Sequence, residues 1–522
     1  MVSTYPYPSF YAMAAANAAA HPKKVLLFID DAKTTHAEFL AKVDAFARYL
    51  EDEEIGRGDR VALILPNCEE FVIAVFAVSR VGGVAVPINN MLKAAEFEYI
   101  LNDCGAKLLI SAKKFLHEVA PLRSKTSVAK TVWVDEAPGY SANDLLWATV
   151  MQKAAGLPLR HPVPVEIDDL AVIFYTSGTT GRPKGAVLTY RNIFSNLKGA
   201  MELFKITTKD RFIVYLPMFH AFTFTVMTIL PFYANASFVI IRNLMPFSNI
   251  LKQTLLKRVT IFLGVPDIYN ALIRANLPWY FRWFNSIRVF ISGASALSGD
   301  TIGRFAKVFK RAAMLEGYGL SECSPAVACN TFTQRRTGSV GMPLPGYEVK
   351  VVDDELVELP RGEVGELIVK GDCVMQEYLN APEATEESIV NGWLRTGDLA
   401  RIDEDGFIYI VDRMKDLIIS KGMNIYPRQI EEELQKLSEI RAAAVIGMSD
   451  PHSGEVPVAY VELEEGIAAT EFKSGDAKAA LRHELANFKV PKHIYVVDEL
   501  PKNAAGKVLK RVLKEQLKVS QA

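Results

Sequence analysis

The most constraining feature of this sequence is the stretch from Tyr175 to Gly185, YTSGTTGRPKG, which directly follows the apolar run Leu170 to Phe174. The apolar run is typical of a buried strand. The stretch combines three glycines, a proline, five hydroxyl side chains and Lys184, so we expect an irregular loop and no regular strand or helix there. Glycines let backbone N–H groups converge on an anion. The stretch therefore predicts a phosphate-binding loop, and the alternative is a surface loop that is rich in Ser and Thr.

The order of residues excludes one common kind of phosphate loop. A Walker A loop has Gly-Lys followed by Ser or Thr. Here Lys184 precedes Gly185, and Ala186 comes next. A different class of nucleotide-binding protein is therefore indicated.

Length and composition restrict the class of protein further. The chain has 522 residues, which predicts at least two domains. Half of the residues are hydrophobic, 23% are charged and the net charge is -1, as in ordinary globular proteins and unlike basic nucleic-acid-binding proteins. The five cysteines show no CxxC spacing and the histidines no HExxH motif. We therefore predict reduced thiols in a cytoplasmic protein and no zinc site.

The sequence contains no segment that predicts secretion or membrane insertion. The N-terminus lacks the basic start and apolar core of a signal peptide. The longest nearly apolar stretch, Phe219 to Ala236, is interrupted by His220 and Pro231, so no transmembrane segment is predicted. Peripheral membrane contact and the oligomeric state stay open.

The chain changes texture near residue 347. Before it, apolar strand-like runs alternate with helical patterns such as Glu69 to Arg80, which predicts layered α/β sheets with mostly parallel strands. After it, short alternating runs predict an antiparallel meander or small barrel: Tyr347 to Asp353, Leu356 to Leu359 and Glu363 to Val369. Beyond Arg413 a compact α+β segment is expected.

Three further motifs carry candidate chemistry. GYGLSECSP, Gly317 to Pro325, offers the aromatic face of Tyr318 between glycines, and Glu322 as an oxygen ligand for Mg²⁺. In WLRTGDLARIDEDGFIYIVDRMKD we expect Asp398 at a turn, where it and Arg413 could bond the hydroxyls of a ribose. PKNAAGKVLKR, near the C-terminus, places Lys507 after a glycine. Alone, each motif also fits an ordinary polar loop or a solvated lysine-rich face.

Taken in order along the chain, the four motifs resemble those of the adenylate-forming enzymes, which include acyl-CoA synthetases, firefly luciferase and the adenylation domains of peptide synthetases. The resemblance covers nearly the whole chain. It implies an α/β fold with a large N-terminal domain, residues 1–413, made of layered α/β sheets plus a small β-barrel. It also implies a small mobile α+β C-terminal lid domain, residues 414–522, joined at a hinge.

The resemblance also implies the roles of individual residues. Tyr318 would stack on adenine, Glu322 would hold Mg²⁺, and Ser321 replaces the usual Thr while keeping its hydroxyl. Lys415 would be the hinge residue, and Gly422 would admit the pantetheine arm of CoA, although locally it could be a plain turn glycine. The catalytic residues would be Lys507, Glu322, His220 and Thr176. The nucleotide-binding residues would be Thr176, Ser177, Gly178, Thr179, Thr180, Gly181, Lys184, Gly293, Ala294, Tyr318, Gly319, Ser321, Asp398 and Arg413.

The implied reaction is ATP-dependent activation of a carboxylic acid to acyl-AMP, followed by thioester formation with CoA and release of AMP and pyrophosphate. The apolar residues after His220 favour a medium- or long-chain fatty acid. An aryl acid, or the phosphopantetheine of a carrier protein as acceptor, stays open. Ile419 stands where luciferase-like monooxygenases carry a lysine, which disfavours that class. Glu322 and Lys507 are both present, which disfavours a non-catalytic nucleotide-binding protein.

Overall fold

The computed structural model describes residues 5–135, 143–176, 182–243, 246–274, 277–293, 299–502 and 506–521. The chain divides into two compact units. The first comprises Met1–Arg335, Gly341–Glu348 and Val369–Leu394, and the second comprises Arg336–Val340, Val349–Ile368 and Arg395–Ala522. The fold is of the α/β class with several sheets, as predicted. The domain boundary between residues 413 and 414, and the mobility of the C-terminal domain, stay predictions.

Two large sheets form the frame of the first unit. In the described part of the chain, nine strands form one sheet, in the spatial order Met342–Pro343, Ala326–Cys329, Ala313–Gly319, Val289–Ser292, Ile261–Gly264, Arg211–Val214, Ser237–Ile240, Val25–Ile29 and Ala32–Thr35. Eight described strands form the other, in the order Glu377–Tyr378, Lys184–Thr189, Leu170–Thr176, Val84–Pro87, Arg60–Ile64, Leu108–Ser111, Lys130–Trp133 and Asp144–Leu146. The central pairs of both sheets are parallel, which is the arrangement that alternating strands and helices predict.

Helices cover these sheets, and several begin at side-chain caps. Thr35 and Glu38 form a capping box at one helix start, and Thr189 and Asn192 form another. The α-helices are Phe10–Ala20, His36–Asp52, Glu69–Arg80, Ala94–Asp103, Leu116–Val119, Trp147–Ala154, Tyr190–Phe204, Leu230–Tyr233, Ser248–Leu256, Pro266–Arg274, Trp279–Phe284, Gly299–Val308 and Pro382–Ser388. Thr223–Ile229 is π-helical, and Lys113–Phe115, Ala120–Ser124 and Ser321–Cys323 are 3₁₀-helical.

The second unit contains an antiparallel region and a smaller α+β region. The antiparallel strands are Glu348–Val352, Gly365–Lys370, Trp393–Ile402 and Ile408–Arg413. A second sheet has the order Met423–Ile425, Ile418–Ser420, Gly454–Leu463 and Ile440–Asp450, and His493–Val496 pairs with Gly454–Leu463. The helices are Met414–Asp416 and Asn487–Lys489, both 3₁₀, and Pro427–Leu434, Ser474–Glu484 and Lys510–Gln521.

Some local predictions are wrong. Leu356 to Leu359 is not a full strand: Glu358 forms one isolated antiparallel bridge with Val352. Asp353 Oδ1 accepts the backbone N–H groups of Glu355 and Val357 and so closes a tight turn before it. The short strand Ile389–Val390 was not predicted; it pairs with Trp393 and Leu394. The helices Phe10–Ala20 and Ala94–Asp103 were not predicted from the sequence pattern.

The five cysteines are free thiols, as predicted, and all five are buried. In the part of the chain that the structure describes, none of the helices combines the length and the apolarity that a membrane span needs.

Candidate active site

The phosphate-loop stretch begins and ends in strands. Leu170–Thr176 and Lys184–Thr189 are antiparallel neighbours, with Tyr175 opposite Gly185 and Thr176 opposite Lys184. The expectation that the whole stretch is irregular is therefore wrong at its two ends. Ser177, Gly178, Thr179, Thr180 and Gly181 lie outside the described residues. The hairpin places Thr176 and Lys184 side by side, at the base of the predicted loop.

Glycine is required at position 185 because neighbouring side chains leave no space for another residue. A Cβ atom there would lie 2.9 Å from Ile173 Cγ2 and 3.1 Å from Tyr175 Cζ. The Tyr175 hydroxyl donates to Asp103 Oδ2 at 2.5 Å, which fixes the ring against the glycine. The last glycine of the motif thus has a packing role in holding the hairpin together.

Glu322 lies at the centre of a group that we call the carboxylate cluster, made of Thr176, Lys184, Glu322 and Tyr378. Its Oε1 accepts the hydroxyl of Tyr378 at 2.9 Å and that of Thr176 at 3.3 Å. Lys184 Nζ lies over the Tyr378 ring, 5.3 Å from its centroid. Burial, followed by the charge of Glu322, raises the pKa of Tyr378, so its hydroxyl keeps its proton and donates.

Tyr378 is the member of this cluster that sequence reasoning missed. It lies on the short strand Glu377–Tyr378, which pairs with Lys184–Thr189 opposite Ala186. No local motif surrounds it, and its partners are distant in sequence. A signal for it would need to reveal the pairing of the two strands.

The tyrosine-glycine motif begins in a strand. Tyr318 and Gly319 end the strand Ala313–Gly319, and Ser321 begins a single 3₁₀ turn that carries Glu322. A Cβ atom on Gly319 would lie 1.9 Å from the carbonyl oxygen of Pro325, so only glycine fits where the chain folds back on itself. Tyr318 is half-buried. This close return of the chain sets the position of Glu322.

Gly293 and His220 both follow strands of the nine-stranded sheet. Gly293 comes directly after Val289–Ser292, and a Cβ atom there would lie 3.4 Å from the Phe222 ring. His220 Nδ1 accepts the backbone N–H of Phe222 at 3.3 Å, so the neutral ring carries its proton on Nε2. Burial lowers the pKa of His220. Ala294 lies outside the described residues.

In the second unit, Asp398 and Arg413 form a pair. They face each other across the strands Trp393–Ile402 and Ile408–Arg413, and Arg413 Nε lies 2.9 Å from Asp398 Oδ1. The expectation that Asp398 lies at a turn is wrong, because it lies inside a ten-residue strand. The turn instead lies at Asp403 to Gly406, where Gly406 N–H bonds to the Asp403 carbonyl.

Lys507 lies in the electrostatic field of that pair. Burial first, and then the positive charges of Arg413 and Lys415, lower the pKa of Lys507 to about 8, while Asp398 and Asp416 act in the opposite direction. Burial and Arg413 also lower the pKa of Lys415. We call Asp398, Arg413, Lys415 and Lys507 the cation cluster. Lys415 is exposed, and Arg413 and Lys507 are half-buried, so an anion can reach the three cations, whose mutual repulsion favours its approach.

Gly422 lies at the exposed turn between Ile418–Ser420 and Met423–Ile425. Its φ is +77°, a conformation that L side chains rarely adopt. A Cβ atom on Gly422 would meet nothing within 4 Å. Backbone conformation therefore explains this glycine locally, and the free space above it is compatible with close approach of a ligand.

The comparisons with known proteins agree with this arrangement. The family model of the AMP-binding enzymes matches residues 14–379, and the model of their C-terminal domain matches residues 429–507. A long-chain-fatty-acid--CoA ligase of Salmonella typhimurium is 34% identical over 90% of this chain and 88% of its own. A feruloyl-CoA synthase of an Amycolatopsis species is 34% identical over 91% and 92%. The crystal structure of an anthranilate CoA ligase in complex with anthranoyl-AMP superposes with a TM-score of 0.90, at 26% identity over 99% of this chain and 98% of that one.

The chain therefore belongs to the AMP-binding enzyme family. Within that family it is an acid–thiol ligase of the AMP-forming type, which activates a carboxylic acid with ATP and transfers the acyl group to CoA.

Proposed function

We propose that the acid is a medium- or long-chain fatty acid. The observation that carries the proposal is the position of the Phe222 ring, two residues after His220, beside Gly293: a Cβ atom on Gly293 would lie 3.4 Å from the ring. An apolar ring there suits an alkyl chain more than a polar acid. The similarity to a long-chain-fatty-acid--CoA ligase supports the same substrate class.

One of the apolar residues after His220, Phe224, packs in the core and does not support this substrate class. The Phe224 ring contacts Phe10, Phe71 and Phe174 in the core. Its apolar character is therefore explained by packing. Phe222, which is half-buried, is the aromatic residue on the side of Gly293.

We propose that the reaction proceeds in two steps on these residues. A carboxylate oxygen attacks the α-phosphorus of ATP, the new O–P bond forms, and the bond to pyrophosphate breaks. The thiol of CoA then attacks the acyl carbonyl and AMP leaves. His220, through its Nε2–H, would donate to the acid, and Lys507 would stabilise negative charge that develops on the phosphates. Asp398 and Arg413 would bond the ribose, and Tyr318 would stack on adenine.

The residues present fit Mg²⁺ as a substrate-borne ion. Within the described ranges, no group of three or more His, Cys, Asp or Glu side chains could hold a metal. A single carboxylate is nonetheless typical of Mg²⁺ sites in which phosphates and water supply the other ligands. Glu322 would hold the ion, because its Oε1 contacts two neutral hydroxyls and, among the described residues, no cation forms an ion pair with it. The ion would neutralise phosphate charge.

An aryl acid is the second candidate. Among the described residues, the buried Tyr215 hydroxyl and the buried Ser292 Oγ have no hydrogen-bond partner. Ser292 is paired with Gly264, where a Cβ atom would lie 2.5 Å from the Tyr215 hydroxyl. Two such polar atoms next to Gly293 would suit a ring that carries a hydroxyl or methoxy group. The similarity to a feruloyl-CoA synthase supports this candidate.

A panel of acids separates the candidates. Each methylene that leaves water is worth about 0.8 kcal/mol, so we expect kcat/KM with CoA to rise with chain length up to octanoate or beyond, well above that for acetate. Pyrophosphate release and thioester yield are measured with acetate, octanoate, palmitate, benzoate and ferulate. A panel in which acetate, benzoate or ferulate is used best would contradict the fatty-acid proposal.

Two finer points stay proposals. The same panel with holo-carrier protein in place of CoA would show whether phosphopantetheine on a protein is an acceptor. A cytoplasmic location is supported by the five free cysteines, which are typical of a reducing compartment.

A further inference from the structure

The helix Trp279–Phe284, sequence WYFRWF, carries large aromatic side chains on the surface of the protein. Trp279, Tyr280, Trp283 and Phe284 are exposed by 69%, 47%, 62% and 67%. We call these four residues the aromatic ridge. Among the described large hydrophobic side chains that are exposed, the only other aromatic one is Tyr495. Such a concentration marks an interaction surface, whereas single exposed apolar residues are ordinary.

The ridge is held in place by the rest of the helix. Phe281 is buried, and its ring lies edge-on to Phe309 at 6.4 Å. The Trp279 ring contacts Tyr280 and Phe284 at 6.2 and 6.1 Å. The exposed rings therefore belong to a fixed structure whose one buried side chain already fills the adjacent core.

Basic residues are frequent in the sequence on either side of the ridge. From Ser248 to Arg311 the sequence contains ten Lys and Arg residues and two Asp or Glu residues, in a chain whose net charge is -1. Arg282 lies on the ridge helix itself and is exposed, as is Lys310. Arg311 lies over the Trp283 ring, 5.4 Å from its centroid, and donates to the Trp283 carbonyl at 3.2 Å. Basic residues are thus part of the same surface.

The ridge and the site residues occupy opposite edges of one sheet. The ridge helix precedes the strand Val289–Ser292, whereas Gly293 follows it. Arg311 likewise precedes the strand Ala313–Gly319, and Tyr318 and Gly319 end it. A surface that binds the ridge would therefore leave the carboxyl ends of these parallel strands uncovered.

We propose that the aromatic ridge, with Arg282, Lys310 and Arg311, docks the protein on the surface of an anionic lipid bilayer. Trp and Tyr favour the headgroup layer because one part of each ring system is apolar and another can hydrogen-bond. Lys and Arg near an anionic membrane each add on the order of fivefold to binding. The combination of exposed aromatic rings with the exposed Arg282, Lys310 and Arg311 fits an anionic lipid surface more closely than a second copy of this chain, which would bring the same charges together.

Co-sedimentation with lipid vesicles tests this inference and needs no substrate, so its result does not depend on which acid the enzyme uses. The wild-type chain should bind vesicles of phosphatidylcholine with phosphatidylglycerol, and bind phosphatidylcholine alone more weakly. The triple variant W279S/W283S/F284S should lose about tenfold or more of the binding. R282E/K310E should lose binding to the anionic vesicles and little of the weak binding to phosphatidylcholine.

Matched exposed positions elsewhere provide the controls. M91S/V357S removes apolar groups of 61% and 59% exposure, and K113E/K198E reverses two exposed lysines of the same unit. Both controls should bind as the wild type does, and all variants should release pyrophosphate at the wild-type rate with octanoate in solution. Equal binding by the wild type and the ridge variants, or no vesicle binding by the wild type, would overturn the proposal. So would a wild-type dimer that the ridge variants convert to a monomer, since the ridge would then bind a second copy.

Discussion

The carboxylate cluster and the cation cluster differ in how their charged groups are paired. In the first, Glu322 contacts two neutral hydroxyl groups and, within the described residues, forms no ion pair. In the second, Lys507, Lys415 and Arg413 share the field of Asp398, and crowding and burial lower the pKa of Lys507 to about 8. In the first cluster the carboxylate is therefore not neutralised by an ion pair within the described residues, although Lys184 lies over the Tyr378 ring, and in the second the cations outnumber the carboxylate.

We infer from this difference which ligand each cluster would bind. A carboxylate whose described partners are hydroxyls has no competing cation among them and can bind one. Crowded cations are relieved by an anion, and phosphate groups are the anions that this reaction supplies. Substitutions that remove the charge in one cluster should therefore fail in different ways from substitutions in the other.

Lys507→Ala should have the largest effect. Removal of one preorganised cation commonly costs on the order of a hundredfold or more in rate, so we expect acyl-AMP formation from acid and ATP to fall by at least this factor. Conversion of supplied acyl-AMP to acyl-CoA should be retained. Pyrophosphate release and thioester yield measure the two steps. Lys436→Ala, an exposed lysine of the same unit, should change neither, and equal loss of both steps in Lys507→Ala would contradict the assignment.

Glu322→Gln should have the next largest effect. The amide keeps the shape of the side chain and can still accept from Tyr378, but it removes the charge that would hold Mg²⁺. We expect the Mg²⁺ concentration needed for half-maximal adenylation to rise about tenfold to a hundredfold. Tyr378→Phe is the matched control, because it removes one hydrogen bond and no charge; it should cost only a few-fold. An unchanged Mg²⁺ dependence in Glu322→Gln would exclude this role.

The sequence could predict the local elements and the motif residues, but not the partners that surround them. The helix Glu69–Arg80 was predicted with the bounds that the structure has, because its apolar periodicity is local. The glycines of the motifs likewise predict places where two backbone segments approach closely, as at Gly319. The order of residue types within a motif thus indicates which residues belong to the candidate site.

The contacts of the site residues depend on partners that are distant in sequence and that no local pattern predicts. Asp398 lies in a strand because Glu366, about thirty residues earlier, accepts from the Gly397 N–H and pairs with Arg395. This buried carboxylate satisfies two polar groups in the middle of the strand. Tyr378 reaches Glu322 only because its short strand pairs with Lys184–Thr189. Long-range pairing of this kind sets the charges of a site and leaves little trace in a single sequence.

Gly422 differs from the residues of both clusters, because it has no side chain and would act through shape and not through charge. If the pantetheine arm passes this turn, Gly422→Leu should lower thioester yield from supplied acyl-AMP on the order of tenfold or more, while acyl-AMP formation is retained. Leu also strains a backbone at φ +77°. Gly422→Asn is the matched control: because Asn tolerates positive φ, it adds a side chain with less backbone strain than Leu. A loss confined to Leu and accompanied by a lower melting temperature would make Gly422 a plain turn residue.

The pH dependence of adenylation gives the smallest and most specific effect. Lys507 has a pKa of about 8, lowered first by burial and then by Arg413 and Lys415, so it is charged below that pH and loses its charge as the pH rises through it. If the charged form acts on the phosphates, kcat/KM for ATP should be about halved near pH 8 and fall about tenfold for each further unit, because this parameter reports the free enzyme. Arginine stays protonated throughout this range. In Lys507→Arg the decline should therefore disappear, whatever the absolute rate of that variant. A decline that persists unchanged in Lys507→Arg would come from the titration of another group. The low pKa of Lys507 would then reflect its surroundings, and Lys507 would have no part in the adenylation step.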